Sequence, residues 1–265
     1  MGRLMIELEN ISYSYESRAA LCGVSLAIGK GESVSLLGAN GSGKSTLLKL
    51  LNGIIFADSG VYRFDGREIT RKKLEDEVFA KSLHQRIGFV FQNVDAQLFC
   101  ADVYDEIAFG PRQMGFDEAE TEKRVLDMIG LFGLAGLERR NPCHLSGGEK
   151  RKVAIACVLS LNPEILMLDE PLTGLDPRSA RWLAEFLAEL NRAGKTILVS
   201  THDLGLVQEI SRRSILFGED HRVAADMQTH ALLDDVELLK RVNLVDRYYH
   251  KHSDARHSHF HIHNY

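Results

Sequence analysis

No pair of cysteines stands at CxxC spacing: the four present, Cys22, Cys100, Cys143 and Cys157, are scattered over 265 residues. That scatter excludes a disulfide framework and a thiolate zinc site. With no secretory segment ahead of them, the cysteines read as reduced packing residues of a cytoplasmic protein. Long apolar runs are missing as well. A membrane span needs roughly 20 such residues, whereas ILMLDEP and TILVS meet charge within a few positions. The chain is therefore expected to stay out of the bilayer and to work at a membrane only as a peripheral subunit. Positive charge is not in excess: a formal net charge of −5 offers no basic field, which argues against nucleic acid or an anionic lipid surface as the main partner. Internal repeats are absent. What remains is an ordinary hydrophobic content of 45%, enough to bury one large α/β core with a smaller lobe inserted into it.

The opening IELENISYSY alternates in polarity and leads into LCGVSLAIGKGES, so an antiparallel hairpin or small sheet is expected first. ESVSLLG then meets glycines, and KSTLLKLLNG carries a helical apolar stripe closed by Gly53. Residues 67 to 86 mix both charge signs and read as a solvated helix and loop. IGFVFQ is a buried strand, after which helical patterns with Gly and Pro breaks run to about Leu161. Strand signals resume at EILMLD and TILVST. Between them Asp176 is placed to cap a helix, Pro177 suits its first position, and Trp182, Leu183, Phe186, Leu187 and Leu190 line one face. SILFG is a further short strand. Strands alternating with helices predict a parallel sheet covered on both faces. Residues 221–249 are expected to form a short helical extension, and 250–265 a histidine-rich tail with nothing to build a core.

GANGSGKST, residues 38 to 46, fits GxxxxGK[ST] between a strand and a helix. In Gly38, Ala39, Asn40, Gly41, Ser42 and Gly43 the glycines let backbone N–H groups turn toward phosphate oxygens, and the helix N-terminus beginning near Lys44, Ser45 and Thr46 adds partial positive charge. Lys44 supplies a cation for β- and γ-phosphates, and Ser45 a hydroxyl for Mg²⁺. The apolar strand ILML ends in Asp169 and Glu170 at the carboxyl edge of the sheet, where ligands of open α/β sheets bind. Asp169 can hold Mg²⁺ through a water; Glu170, expected to point elsewhere, can polarise the water that attacks phosphorus. His202 follows the strand TILVST onto the same edge. LSGGE, with Ser146, Gly147, Gly148 and Glu149, precedes a helix on the helical lobe and forms a second phosphate-binding turn, away from the first.

In that order of motifs the sequence resembles the ATP-binding cassette family over nearly its first 220 residues. The resemblance makes GANGSGKST the Walker A motif, Gln92 the Q-loop glutamine and a further Mg²⁺ ligand, LSGGE the signature, ILMLDE the Walker B strand with its catalytic glutamate, LTGLD with Asp176 the D-loop, and His202 the switch histidine. Tyr15 matches the aromatic that stacks on adenine. It implies an ATP hydrolase with a RecA-like core, an N-terminal antiparallel β-subdomain and a helical subdomain at about 93–161. It also implies a head-to-tail pair of cassettes, each ATP lying between one chain's Lys44 loop and the other's signature turn. QNVDAQLFCADVYDEIAFGPRQMG, residues 92 to 115, is similar to the energy-coupling-factor and cobalt/nickel transporter ATPases, although Val94 replaces a usual proline and Ala96 a common acid. There the stretch meets the coupling helices of an integral membrane subunit, with Leu98 and Phe99 as the apolar part of the contact.

The tail HKHSDARHSHFHIHNY holds His250, His252, His257, His259, His261 and His263, six of eleven histidines. Extended, the last four fall on one face, close enough for neighbours to share nickel, cobalt, copper or zinc. The rival reading is a solvated end with no particular role. Taken together, the sequence points to an ATPase subunit driving import of nickel or cobalt from the cytoplasmic face of the membrane. A vitamin is the alternative cargo, and a soluble metal-sensing ATPase the alternative class.

Overall fold

A computed structural model describes residues 3–205 and 207–245; the histidine tail lies outside the described residues. Two long strands, β1 (Leu4–Tyr15) and β2 (Arg18–Gly29), form the first hairpin, with Ile6, Leu8, Ile11, Leu21, Val24 and Ile28 buried. β3 (Ser33–Leu37) runs into the glycine-rich loop and α1 (Lys44–Leu51), whose end is marked by Gly53 at φ 72°. β4 (Ser59–Phe64) and β5 (Arg67–Glu68) complete an antiparallel sheet in the order β2-β1-β4-β5.

The mixed-charge stretch that follows folds into a single turn, α2 (Arg71–Leu74), and α3 (Glu77–Arg86), of which only Leu83 is buried. β6 (Ile87–Val90) is wholly buried. Three helices then separate it from the next strand: α4 (Val103–Met114), α5 (Glu118–Phe132) and α6 (Gly147–Leu159). Each starts on a side-chain cap, from Asp102, Asp117 and Ser146 respectively, so the breaks between them are set locally. β7 (Ile165–Asp169) returns to the sheet, α7 (Pro177–Arg192) covers it with the Trp182–Phe186 stripe, and β8 (Thr196–Thr201) follows.

α8 (Val207–Ile210) and β9 (Arg213–Phe217) lead to β10 (Val223–Gln228), α9 (Thr229–Asp234) and α10 (Val236–Arg241). The second sheet has the order β10-β9-β3-β8-β7-β6, parallel except for β10. Residues 221–245, expected to be helical, thus begin with an edge strand. Its burial alternates between half-buried and exposed, as an edge strand's should. Leu232, Leu238, Leu239 and Val242 then pack on Leu37, Val207 and Leu216, tying this segment to the sheet. The parallel order puts the carboxyl ends of β3, β7 and β8 side by side, and that edge carries the candidate site.

Candidate functional site

Gly43 takes φ 109° as the residue before α1, and a Cβ there would stand 2.3 Å from the Ala20 carbonyl oxygen. Only glycine fits, because the loop is pressed against the β1–β2 hairpin. No side chain caps α1, and the Ser42 hydroxyl is buried without a hydrogen-bond partner. An uncapped helix start, a glycine cradle and an orphaned hydroxyl together suit a bound phosphate chain. The Lys44 ammonium folds back on its own loop, donating to the Gly38 carbonyl at 2.7 Å and the Ala39 carbonyl at 3.1 Å. Burial pushes its pKa down, while Glu170 and Asp169 oppose that shift. Asn40 and Gly41 form the exposed turn of the loop, and Thr46 is buried beneath it.

Ser45 Oγ donates to Asp169 Oδ1 at 2.8 Å, and the same carboxylate oxygen accepts from Ser200 Oγ at 2.5 Å. A hydroxyl and a carboxylate so close are the hard oxygen donors that magnesium takes. Ser200 is a site residue that sequence reading missed. It faces Asp169 only because β7 and β8 pair in that register.

Glu170 adopts φ 45°, a left-handed conformation costly for any residue with a Cβ, which crowds the backbone carbonyl oxygen there. Two bonds from its amide hold it there, to the Ser200 carbonyl at 3.0 Å and the Ser200 hydroxyl at 3.1 Å. The turn sends the two adjacent carboxylates to different partners. Both carboxylates enter one cluster, Asp169 toward Ser45 and Glu170 between Lys44 and His202. Glu170 Oε2 lies 2.9 Å from His202 Nδ1. Glu170 Oε1 is 3.7 Å from Lys44 Nζ, close enough for charge pairing but too far for a hydrogen bond, and it has no hydrogen-bond partner.

The other candidates sit apart. Among the described residues no hydrogen bond or ion pair joins the signature turn to the Lys44 loop. Ser146 and Glu149 close a capping box on α6: Glu149 Oε2 accepts from the Ser146 amide at 2.8 Å and its hydroxyl at 2.7 Å. Those bonds hold the Glu149 pKa down. A Cβ on Gly148 would reach Ser179 Oγ at 3.3 Å, and Ser179 Oγ donates to Asp176 Oδ2 at 2.6 Å. The exposed signature turn and Asp176 therefore share one surface. Gln92 is exposed just beyond β6, its carbonyl accepting from Arg151. Tyr15 ends β1, exposed and edge-on to Tyr13 at 4.9 Å between ring centres. It pairs with Arg18 on the hairpin that touches Gly43. Leu98 packs into the helical core, whereas Phe99 stays 66% exposed and meets Phe109 edge to face. Of the pair expected as an apolar contact, Phe99 is the more exposed.

A phosphate cradle beside a serine, an aspartate and a glutamate at the edge of a parallel sheet, with an inserted set of helices, defines a P-loop cassette ATPase. The family model described as ABC transporter matches residues 21–173, and the chain belongs to that family as an ATPase coupled to transport. It is 48% identical over 230 residues to the nickel import ATP-binding protein LarO of Lactiplantibacillus plantarum, covering 87% of this chain and 95% of that one. It is 41% identical over 241 residues to the energy-coupling factor transporter ATP-binding protein EcfA of Methanothermobacter thermautotrophicus, covering 91% and 76%. Among solved structures, cbiO1 of Clostridium perfringens, part of the ABC transporter complex cbiONQ, superposes with TM-score 0.77 at 35% identity over 91% and 95% of the two chains. The cassette MJ0796, seen as a dimer in a post-hydrolysis state with ADP and Pi, superposes with TM-score 0.75 at 29% identity over 85% and 99%.

Proposed function

We propose that this ATPase energises import of a divalent transition metal, nickel or cobalt, through an integral membrane subunit, and that it works as a head-to-tail dimer on the cytoplasmic face of the membrane. The relative named for nickel import carries the cargo reading, and the histidine-rich tail, with His250, His252, His257, His259, His261 and His263, agrees with it. The pairing follows from the separation of the two phosphate-binding turns. Neither the Lys44 loop nor the Ser146–Gly147–Gly148 turn is complete alone, and a second copy supplies what each lacks. No helix among the described residues is long and apolar enough to cross a membrane; in this reading the pathway belongs to the membrane partner. Residues 92–115, where Phe99 and Phe109 are exposed, are its proposed contact.

In this reading residues 38–46 hold the phosphates of ATP and Tyr15 stacks on the adenine. Ser45, Asp169 and Gln92 are the residues that would hold Mg²⁺, which when bound offsets the charge of the transferring phosphoryl group. Lys44 leaves its loop carbonyls and Glu170 for the phosphates. Glu170, released, accepts a proton from the attacking water, whose oxygen bonds to phosphorus as the bond to the bridging oxygen breaks. His202 holds Glu170 in line. Asp176 faces the partner beside the signature turn.

Glu170→Gln should cut phosphate release by about 10²–10⁴-fold, the usual worth of a general base, while ATP binding persists. In cells carrying the membrane subunit, nickel or cobalt uptake should collapse with it. Unchanged metal uptake in that variant would overturn the cargo reading. Loss of vitamin uptake instead would favour the second reading, which the relative named as an energy-coupling factor ATPase supports.

A further inference from the structure

Three ties run from the first two turns of α6 to the segment around Gln92. Lys150 Nζ lies 2.6 Å from Asp95 Oδ1. The Arg151 guanidinium donates to the Phe91 carbonyl at 3.2 Å and the Gln92 carbonyl at 3.3 Å. Gln97 completes a bridge: its Oε1 accepts from the Phe91 amide at 3.0 Å and its Nε2 donates to the Ala154 carbonyl at 3.5 Å.

Arg151 is the costly member of the set. It is 5% exposed, forms no ion pair among the described residues, and leaves its Nε buried without a partner. Burial pushes its pKa down. A buried cation without a counter-charge is expensive, and an apolar residue of similar volume commonly serves stability as well or better. Its two acceptors are main-chain atoms, so the grip fixes the path of the backbone at Gln92 and leaves the Gln92 side chain unused by it. At the other end of the same two helical turns, Ser146 caps α6 and Gly147 begins it. Gln92 and the signature turn are thus fastened to one short length of rigid helix.

We infer that Arg151 is a positioning residue that makes Gln92 and the Ser146–Gly147–Gly148 turn move as one body, so that filling one ATP site alters the other. The inference rests on the proposed head-to-tail pair, where Gln92 serves the chain's own nucleotide and the turn serves the partner's. A displacement of Gln92 by its nucleotide then shifts the turn across the interface, which couples the two sites through a packed element.

The test is ATP hydrolysis by the purified full chain over a range of ATP concentrations. With two coupled sites the wild-type Hill coefficient should approach about two, the number of sites setting the ceiling. Arg151→Met keeps a long stem but removes both donors; it should bring the coefficient to about one, the value for independent sites, and lower kcat severalfold. Arg151→Lys, which retains a donor, should recover part of both. A melting curve checks that Arg151→Met folds. The double variant Asp95→Ala/Gln97→Ala cuts the other two ties without touching the guanidinium and should lower the coefficient as well. Wild-type Hill coefficient and kcat in both the Met and the double variant would overturn the inference, and so would a wild-type coefficient of one. Glu170→Gln with ATP is the control, read by size-exclusion chromatography. If it stays monomeric, the paired-cassette reading fails; if it pairs while cooperativity ignores Arg151, only this inference fails.

Discussion

The carboxyl edge of the parallel sheet and the segment leaving it from Gln92 to Met114 are joined by a few residues yet built on opposite plans. At the edge Lys44, Asp169 and Glu170 are each at most 5% exposed, held among loop carbonyls, hydroxyls and one another. In the departing segment the conspicuous groups are apolar and uncovered, Phe99 at 66% and Phe109 at 42%. Charge kept from water acts strongly on what enters beside it, which suits phosphate chemistry. Aromatic rings left in water gain only when something covers them. In the proposed reading the first region is completed by the phosphates of ATP, the second by the membrane subunit.

The first region breaks most readily at its tightest point. Gly43→Ala puts a Cβ 2.3 Å from the Ala20 carbonyl oxygen at φ 109°, so the loop must leave the hairpin. ATP affinity measured by calorimetry should fall by ~100-fold or more, about 3 kcal/mol at 1.4 kcal/mol per decade. Gly41→Ala is the comparison within the same loop: it also has positive φ, but a Cβ there meets nothing within 4 Å. It should cost about 1–2 kcal/mol, the strain of the left-handed backbone alone. Equal losses in the two would mean that backbone conformation and not the hairpin contact shapes the cradle.

The second region should respond in its partner and not in its fold. Replacing both Phe99 and Phe109 with alanine removes an exposed edge-to-face pair with ring centres 4.9 Å apart. Stability in urea should shift by less than about 1 kcal/mol, as for surface positions. Binding to the membrane subunit in detergent should weaken by ~2 kcal/mol, about 30-fold, the scale of an aromatic anchor. Undiminished binding would place the contact elsewhere.

These regions also differed in how well the sequence exposed them. The phosphate loop lies in nine consecutive residues, and the strand ILMLD announces itself by an apolar run ending in acids, so local pattern sufficed. Ser200 carried no such signal, because its bond to Asp169 exists only in the β7–β8 register. Nor did the left-handed turn at Glu170, which depends on that same serine. Arg151 stands within the charged run EKRK, and its burial arises from how α6 packs on β6 and the segment after it. Strand β10 was hidden because VAADMQ, lying at the sheet edge, lacks the apolar run of the inner strands. Contacts between distant segments were what the sequence withheld.

Glu106 gives the finest comparison, since it is a buried acid in the second region. It is 4% exposed on α4, and its Oε1 accepts from the amides of Phe99 and Cys100, pinning the segment that carries the exposed ring. Burial raises its pKa against the pull of those bonds. An acid whose folded pKa exceeds its unfolded value, about 4.3 for glutamate, contributes its full stability below that unfolded value. The contribution is lost as pH rises through the folded pKa. Glu106→Gln keeps an acceptor oxygen and drops the charge. Its stability relative to the wild type, from urea unfolding at several pH values, should therefore be near even at about pH 4 and rise toward neutrality. A flat difference would show that the two amides accommodate the charge in full.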